Sequence, residues 1–260
     1  MDLGDDASLN LVVVMPVYNE AFGISEFLKE IDASFADIDV AYLLIDDCST
    51  DSTRTVLEEL AIKNPAVMYR RNPANLGHGP STIKGLRIAT TWNPQFILAV
   101  DGDGQFHGHD IRSVYDKLRD ERVQIVEGAR TEQTAPFYRR AVSFLVRVLV
   151  GMRSRSFPLD ANTPLRGYKA ESLAEILSVI PENAWTPNLL ISAVSRYWNM
   201  GIAEVPVASR SRRGPSQQGS TWGETRLPFL PTRKFAKFCY RALLQWVRSG
   251  SDTRSQRSRR

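Results

Sequence analysis

Five apolar runs of strand length, separated by stretches of helical periodicity, fill the first half of this chain: residues 9–15, 40–45, 67–69, 96–100 and 123–126. After the first run, Ile24, Phe27, Leu28, Ile31 and Phe35 recur at i, i+3, i+4, i+7 and i+11, one face of a helix. Val56, Leu57 and Leu60 mark the buried face of a second helix, residues 79–90 a third despite Gly85, and residues 111–118 a fourth. Strands alternating with helices imply βαβ units and a parallel sheet. Such a sheet offers ligands the carboxyl ends of its strands, so chemistry is expected in the polar loops after the first, second and fourth strands.

The second half reads differently. Residues 136–152 form a basic amphipathic helix, a strand surrounds residues 165–168, and helices follow near 171–179 and 189–198. Residues 202–207 read as a strand, 209–223 as a mobile loop, 232–247 as a last helix and 249–260 as a disordered tail. At 260 residues with 43% hydrophobic content, one domain with a small appendage is the economical division. We place the domain at residues 1–226 and the appendage, a basic amphipathic helix and its tail, at 227–260. From Arg226 onward ten Lys/Arg face one Asp, leaving 23 basic and 28 acidic residues for the body. The acidic first ten residues lack the basic and apolar regions of a secretory signal, and no apolar stretch approaches a membrane span. Cys48 and Cys239 lie far apart without zinc-type spacing and read as free thiols in a reducing cytosol.

The fourth strand runs straight into Asp101-Gly102-Asp103-Gly104-Gln105. Side chains two apart on an extended chain point the same way, so Asp101, Asp103 and Gln105 converge. Two carboxylates about 4 Å apart repel by roughly 4 kcal/mol at an effective dielectric near 20, which calls for a cation. Three oxygen donors suit Mg²⁺ or Mn²⁺ rather than zinc. The bland alternative is an acidic turn after a strand. His78, His107 and His109 lack helical ligand spacing and read as surface or loop-packing residues, and the five tryptophans read as core or interface.

Three loops, Pro16-Val17-Tyr18-Asn19-Glu20, residues 46–51 and Asp101–Gln105, together with Asn75-Leu76-Gly77-His78-Gly79, resemble the family 2 glycosyltransferases of GT-A fold over about residues 9–220. Within that family, Arg166-Gly167-Tyr168 and Glu204-Val205-Pro206-Val207 look most like the dolichyl- and polyprenyl-phosphate sugar synthases. The resemblance implies a Rossmann-like, mostly parallel sheet flanked by helices. It implies a nucleotide pocket lined by Pro16, Tyr18 and Glu20, with Asp47 on the base or ribose. Asp101, Asp103 and Gln105 would hold the metal across the donor diphosphate. Lys84 would add positive charge nearby, a solvated helix face being the alternative. Asp46 and Asp51 are left to structural duty in their turn.

The acceptor follows from what a nucleophile needs. A hydroxyl must lose a proton and needs a base, whereas a lipid phosphate is already an anion. The late stretch Trp185-Thr186-Pro187-Asn188 holds no carboxylate, Glu182 being the nearest acid. Between Arg130 and Arg155 lie six arginines against one acid, Glu132. Arginine's planar fork suits phosphate oxygens. Arg130 with Arg139 or Arg140 resembles the acceptor-phosphate arginines of the lipid-phosphate synthases, with Arg130 grouped with Asp101 and Asp103 as catalytic. Arg210, Arg212 and Arg213 stand where that group has an arginine loop over the donor, and which of them acts stays open because Ser211 breaks the pattern. In the last helix, Phe235, Phe238, Ala242 and Trp246 line one side beside Lys234, Lys237, Arg241 and Arg248. That pattern suits an anionic membrane surface, or docking on the domain's own core. It does not interleave aromatics with charge as nucleic-acid binders do. The expectation is a metal-dependent inverting transferase moving a sugar from a nucleotide-sugar to a polyprenyl phosphate, peripheral at the cytosolic membrane face. The rivals are a hydroxyl-acceptor glycosyltransferase using Glu182, a nucleotidyltransferase, and a binding module without activity.

Overall fold

In the computed structural model the described residues are 9–131, 147–148, 150–152 and 156–213. Arg139, Arg140, the basic helix 136–152 for the most part, and the appendage at 227–260 lie outside them. The strands are β1 (Leu11–Val17), β2 (Val40–Asp46), β3 (Val67–Arg71), β4 (Phe96–Ala99), β5 (Ile125–Arg130), β6 (Arg166–Lys169) and β7 (Ile202–Val207). They form one sheet of order β3-β2-β1-β4-β6-β5-β7. The helices are α1 (Ile24–Ser34), α2 (Thr53–Lys63), α3 (His78–Thr91), α4 (Gly108–Leu118), α5 (Ala170–Leu177) and α6 (Pro187–Tyr197).

Alternation along β1 divides the core into two layers. Leu11, Val13 and Met15 pack with Ile24, Phe27, Ile31, Ile111 and Val114 from α1 and α4. Val12 and Val14 pack with Ile83, Leu86, Leu173 and Ile191 from α3, α5 and α6. A strand covered on both faces reads as a continuous apolar run, which is why β1 showed no polar alternation. It runs two residues later than the apolar run suggested. Pro16 lies past the last β1–β4 pair, Val14↔Ala99, so its missing N–H costs no bond to β4.

The sheet departs from all-parallel at one strand. β6 returns from the long connection after β5 and inserts between β4 and β5, antiparallel to both. β4 and β5 therefore point the same way, and the ends of β1, β2, β4 and β5 share one edge. Among the described residues no helix is long and apolar enough to cross a membrane.

A buried ionic network ties this half together. Glu127 of β5 accepts hydrogen bonds from Arg166 Nη1 at 2.7 Å and from Arg196 Nη2 at 2.7 Å. Arg166 also donates to the carbonyls of Ala161 and Thr163, and Arg196 reaches Glu204 at 3.0 Å. Burial alone would raise the Glu127 carboxyl; the two guanidiniums outweigh it and hold it below the ordinary carboxylate range.

Candidate active site

Cross-loop hydrogen bonds hold the strand-end loops in shape. Asn19 (φ 56°) and Cys48 (φ 61°) both take left-handed backbone. Asn19 N–H donates to Ser49 Oγ at 3.0 Å, Thr50 N–H to Asn19 Oδ1 at 2.9 Å, and Glu20 N–H to Thr53 Oγ1 at 2.8 Å. Asp46 is fully buried, accepts from Ser49 and pairs with Arg71 at 2.7 Å. Asp51 accepts Thr53 N–H at 2.9 Å, at the start of α2.

Asp47 is also buried. Its Oδ1 accepts Asn72 Nδ2–H at 2.9 Å and Leu76 N–H at 2.8 Å, and its Oδ2 accepts Gly77 N–H at 2.8 Å. A carboxylate has about four lone-pair positions, so Asp47 shapes the 72–77 loop and keeps room for one more donor. Lys84 Nζ donates to Asn72 Oδ1 at 2.7 Å, which joins it to Asp47 through that amide. Pro16 O accepts Gly102 N–H at 3.2 Å and so links the first loop to the Asp101–Gln105 turn.

In that turn, burial and the neighbouring Asp101 carboxylate push Asp103 up to about 7. The Asp101 charge lies close enough to oppose ionisation of Asp103. Asp103 Oδ1 accepts Gln105 N–H at 3.1 Å, and Gly104 takes φ +68°. Gln105 turns its amide nitrogen toward Arg210 O at 3.5 Å. His78 Nε2 stands 3.5 Å from Asp101 Oδ1, a neighbour that spacing gave no reason to expect. Two carboxylates on a rigid turn are a hard-oxygen donor set, suited to Mg²⁺ or Mn²⁺. Among the described residues no group of three or more His, Cys, Asp and Glu could hold a metal ion, so a cation at this pair needs further oxygens from its ligand and from water.

The arginines are distributed unevenly. Arg212 pairs with buried Glu20 and reaches Tyr18 O at 3.5 Å, so it joins the first-loop residues. Arg210 and Arg213 both pair with Glu30 of α1. Arg130 forms a fork on Asp160, Nε at 2.7 Å and Nη2 at 3.2 Å. It lies on the same sheet edge as Asp101, but β6 separates their strands. Asp160 and Glu30 carried no sequence signal because their partners lie 30 and 180 residues away. Glu182 is exposed in the turn before α6.

The same turn packs against the first turn of α3. The carbonyls of Ala184 and Trp185 press on Gly79, where an added Cβ would stand 2.3 Å and 2.6 Å from them. Gly79→Ala is therefore expected to cost about 1–3 kcal/mol, read as a lower midpoint in urea unfolding. An unchanged midpoint contradicts this packing.

The family model for Glycosyl transferase family 2 matches residues 12–165, which span β1 to the residue before β6 and contain the Asp47 and Asp101–Gln105 loops. The chain belongs to the family 2 glycosyltransferases. An uncharacterized protein of Methanocaldococcus jannaschii is 29% identical over 174 residues, 64% of this chain and 74% of the relative. The undecaprenyl-phosphate 4-deoxy-4-formamido-L-arabinose transferase of Klebsiella pneumoniae is 26% identical over 206 residues, covering 77% of this glycosyltransferase and 59% of that protein. Among solved structures, glucosyl-3-phosphoglycerate synthase of Mycobacterium tuberculosis, in complex with Mn²⁺, uridine diphosphate and phosphoglyceric acid, has TM-score 0.64 at 17% identity over 93% of this chain and 78% of that one. A Pyrobaculum calidifontis mannosyltransferase with GDP-mannose and Mn²⁺ has TM-score 0.55 at 16% identity over 97% and 76%. At such identities the structures establish a shared GT-A architecture.

Proposed function

We propose that this glycosyltransferase moves a sugar from a nucleotide-sugar to a polyprenyl phosphate with a divalent ion at Asp101 and Asp103. The reading rests above all on that carboxylate pair, set by the β4 turn on the same edge as Tyr18, Glu20 and Asp47. Mg²⁺ or Mn²⁺ there would offset the negative charge that grows on the leaving diphosphate. Pro16, Tyr18 and Glu20 line the donor side, with Arg212 lying on Glu20. Asp47 offers its remaining lone pair to a ribose or base donor, and Lys84 adds positive charge through Asn72. Gln105 completes the metal loop. Support comes also from the Klebsiella relative, whose name specifies an undecaprenyl-phosphate acceptor, and from solved relatives that carry Mn²⁺ with nucleotides.

Arg130, with Arg139 and Arg140 from the basic segment, takes the acceptor phosphate in this reading, a step that needs no general base. Asp160 holds the Arg130 fork flat and ready, and an incoming phosphate shares or replaces it. Arg130→Ala is expected to raise the acceptor KM about 10-fold or more, with the donor KM within about twofold, since a bond to a charged group contributes about 1.5–3 kcal/mol. Equal effects on both KM values argue for a different acceptor site. In this reading a lipid acceptor and the basic composition of residues 227–260 suit work at a membrane surface, on its cytosolic face.

The phosphoglycerate-bound neighbour and the closed Arg130–Asp160 pair favour a second reading, transfer to a small phosphorylated hydroxyl acceptor. One assay separates the two: a single nucleotide-sugar offered polyprenyl phosphate or phosphoglycerate. Turnover on the lipid phosphate alone supports the first reading, and turnover on phosphoglycerate alone replaces it.

A further inference from the structure

Residues 210–213 lie along the Asp103–Gln105 turn as a second layer. Arg210 N–H donates to Gln105 O at 2.9 Å, and Arg213 N–H donates to Asp103 O at 3.1 Å. The beginning of the segment that the sequence suggested was mobile is thus bonded to the metal turn. Each nitrogen of the Arg210 guanidinium has a partner along residues 104–107. Its Nε donates to Gly104 O at 2.7 Å and its Nη2 to Phe106 O at 2.9 Å, while Nη1 lies 3.1 Å from His107 Nδ1. Arg213 packs its stem on Gly104, where a Cβ would meet Arg213 Cδ at 2.9 Å.

Two guanidiniums brought together repel, and one carboxylate shared between them offsets part of that repulsion. Glu30 Oε2 accepts Arg210 Nη2–H at 2.7 Å and also pairs with Arg213. Its Oε1 accepts Gly108 N–H at 2.9 Å at the first turn of α4. One side chain of α1 therefore fastens the metal turn, the 210–213 segment and the start of α4 to each other.

We propose that Glu30 is a positioning residue: by pairing with both Arg210 and Arg213 it clamps residues 210–213 onto the turn and fixes the geometry in which Asp101 and Asp103 meet a divalent ion. This rests on the metal role given to those aspartates above. It assigns Arg210 and Arg213 to holding the turn and leaves Arg212, on Glu20, as the arginine of the donor side. Groups that orient metal ligands from behind typically change metal affinity about 10- to 100-fold when removed.

The test is Glu30→Gln in the full chain. Mn²⁺ binding is followed by electron paramagnetic resonance with UDP and, separately, GDP, and the melting temperature is recorded alongside. The expected result is a Kd for Mn²⁺ raised about 10-fold or more, with the bound spectrum broadened by looser geometry and the protein still folded. Unchanged Mn²⁺ affinity in a folded variant, or a loss explained by its unfolded fraction, overturns the clamp while leaving the metal site intact. Absence of Mn²⁺ binding to the unsubstituted protein overturns both. Should Glu30→Gln fail to fold, Arg210→Lys, which keeps the charge and loses the fork, decides: weakened Mn²⁺ binding supports the clamp and unchanged binding overturns it.

Discussion

Asp103→Asn is expected to lower turnover by about 10²–10³-fold or more while the protein remains at least as stable as before. The two effects share one cause. Burial and the Asp101 charge raise the Asp103 carboxyl to about 7, so its folded-state pKa lies above the ordinary 3.8. The folded chain then holds more protons than the unfolded chain between those values, and stability falls as pH rises through that window. At pH 8 without metal, an amide in place of the ionised carboxylate relieves the repulsion. The checks are initial rates with saturating donor and a metal-free melt at pH 8. Full activity, or a collapsed fold, contradicts the role given to Asp103.

The second large effect concerns stability. Glu127→Gln is expected to cost about 3–5 kcal/mol at neutral pH, because Arg166 and Arg196 would keep their buried charges and lose the carboxylate between them. The pH dependence has the opposite sign to that of Asp103. Glu127 is held below its ordinary value of 4.5, so its contribution is complete above that value and lost as pH falls through the depressed one. Urea unfolding of both proteins from neutral to acid pH should show the difference shrinking only on the acid side. A difference below about 1 kcal/mol at pH 7 would mean that the network is far weaker than its burial indicates.

The sheet's first half was legible because its signals are local. The apolar periodicity of Ile24, Phe27, Leu28 and Ile31 matches the buried face of α1, and Asp101 and Asp103 follow β4 as the run of apolar residues required. Gly85, which looked like a weakness in α3, is a packing necessity: a Cβ there would stand 2.5 Å from Val14 Cγ1. What stayed hidden depends on distant partners. The antiparallel entry of β6 is set by where the 131–165 connection returns, and four residues of strand carry no mark of direction. Arg130 read as a free phosphate ligand because Asp160 is 30 residues on. Arg210 reads in the sequence as one of three candidate donor arginines, and nothing local to it announces Glu30, 180 residues earlier. His78 could be excluded as one of a histidine metal set, yet only the fold reveals its place beside Asp101.

The decisive measurement is calorimetric titration of the unsubstituted protein and of Asp101→Asn with UDP and with GDP, each with Mn²⁺ and with the metal chelated. Binding of one nucleoside diphosphate that needs Mn²⁺ and disappears in the variant is the expected result. Equal affinity with and without the ion, carried unchanged into Asp101→Asn, would show that the carboxylate pair after β4 does not hold a cation against the donor's phosphates.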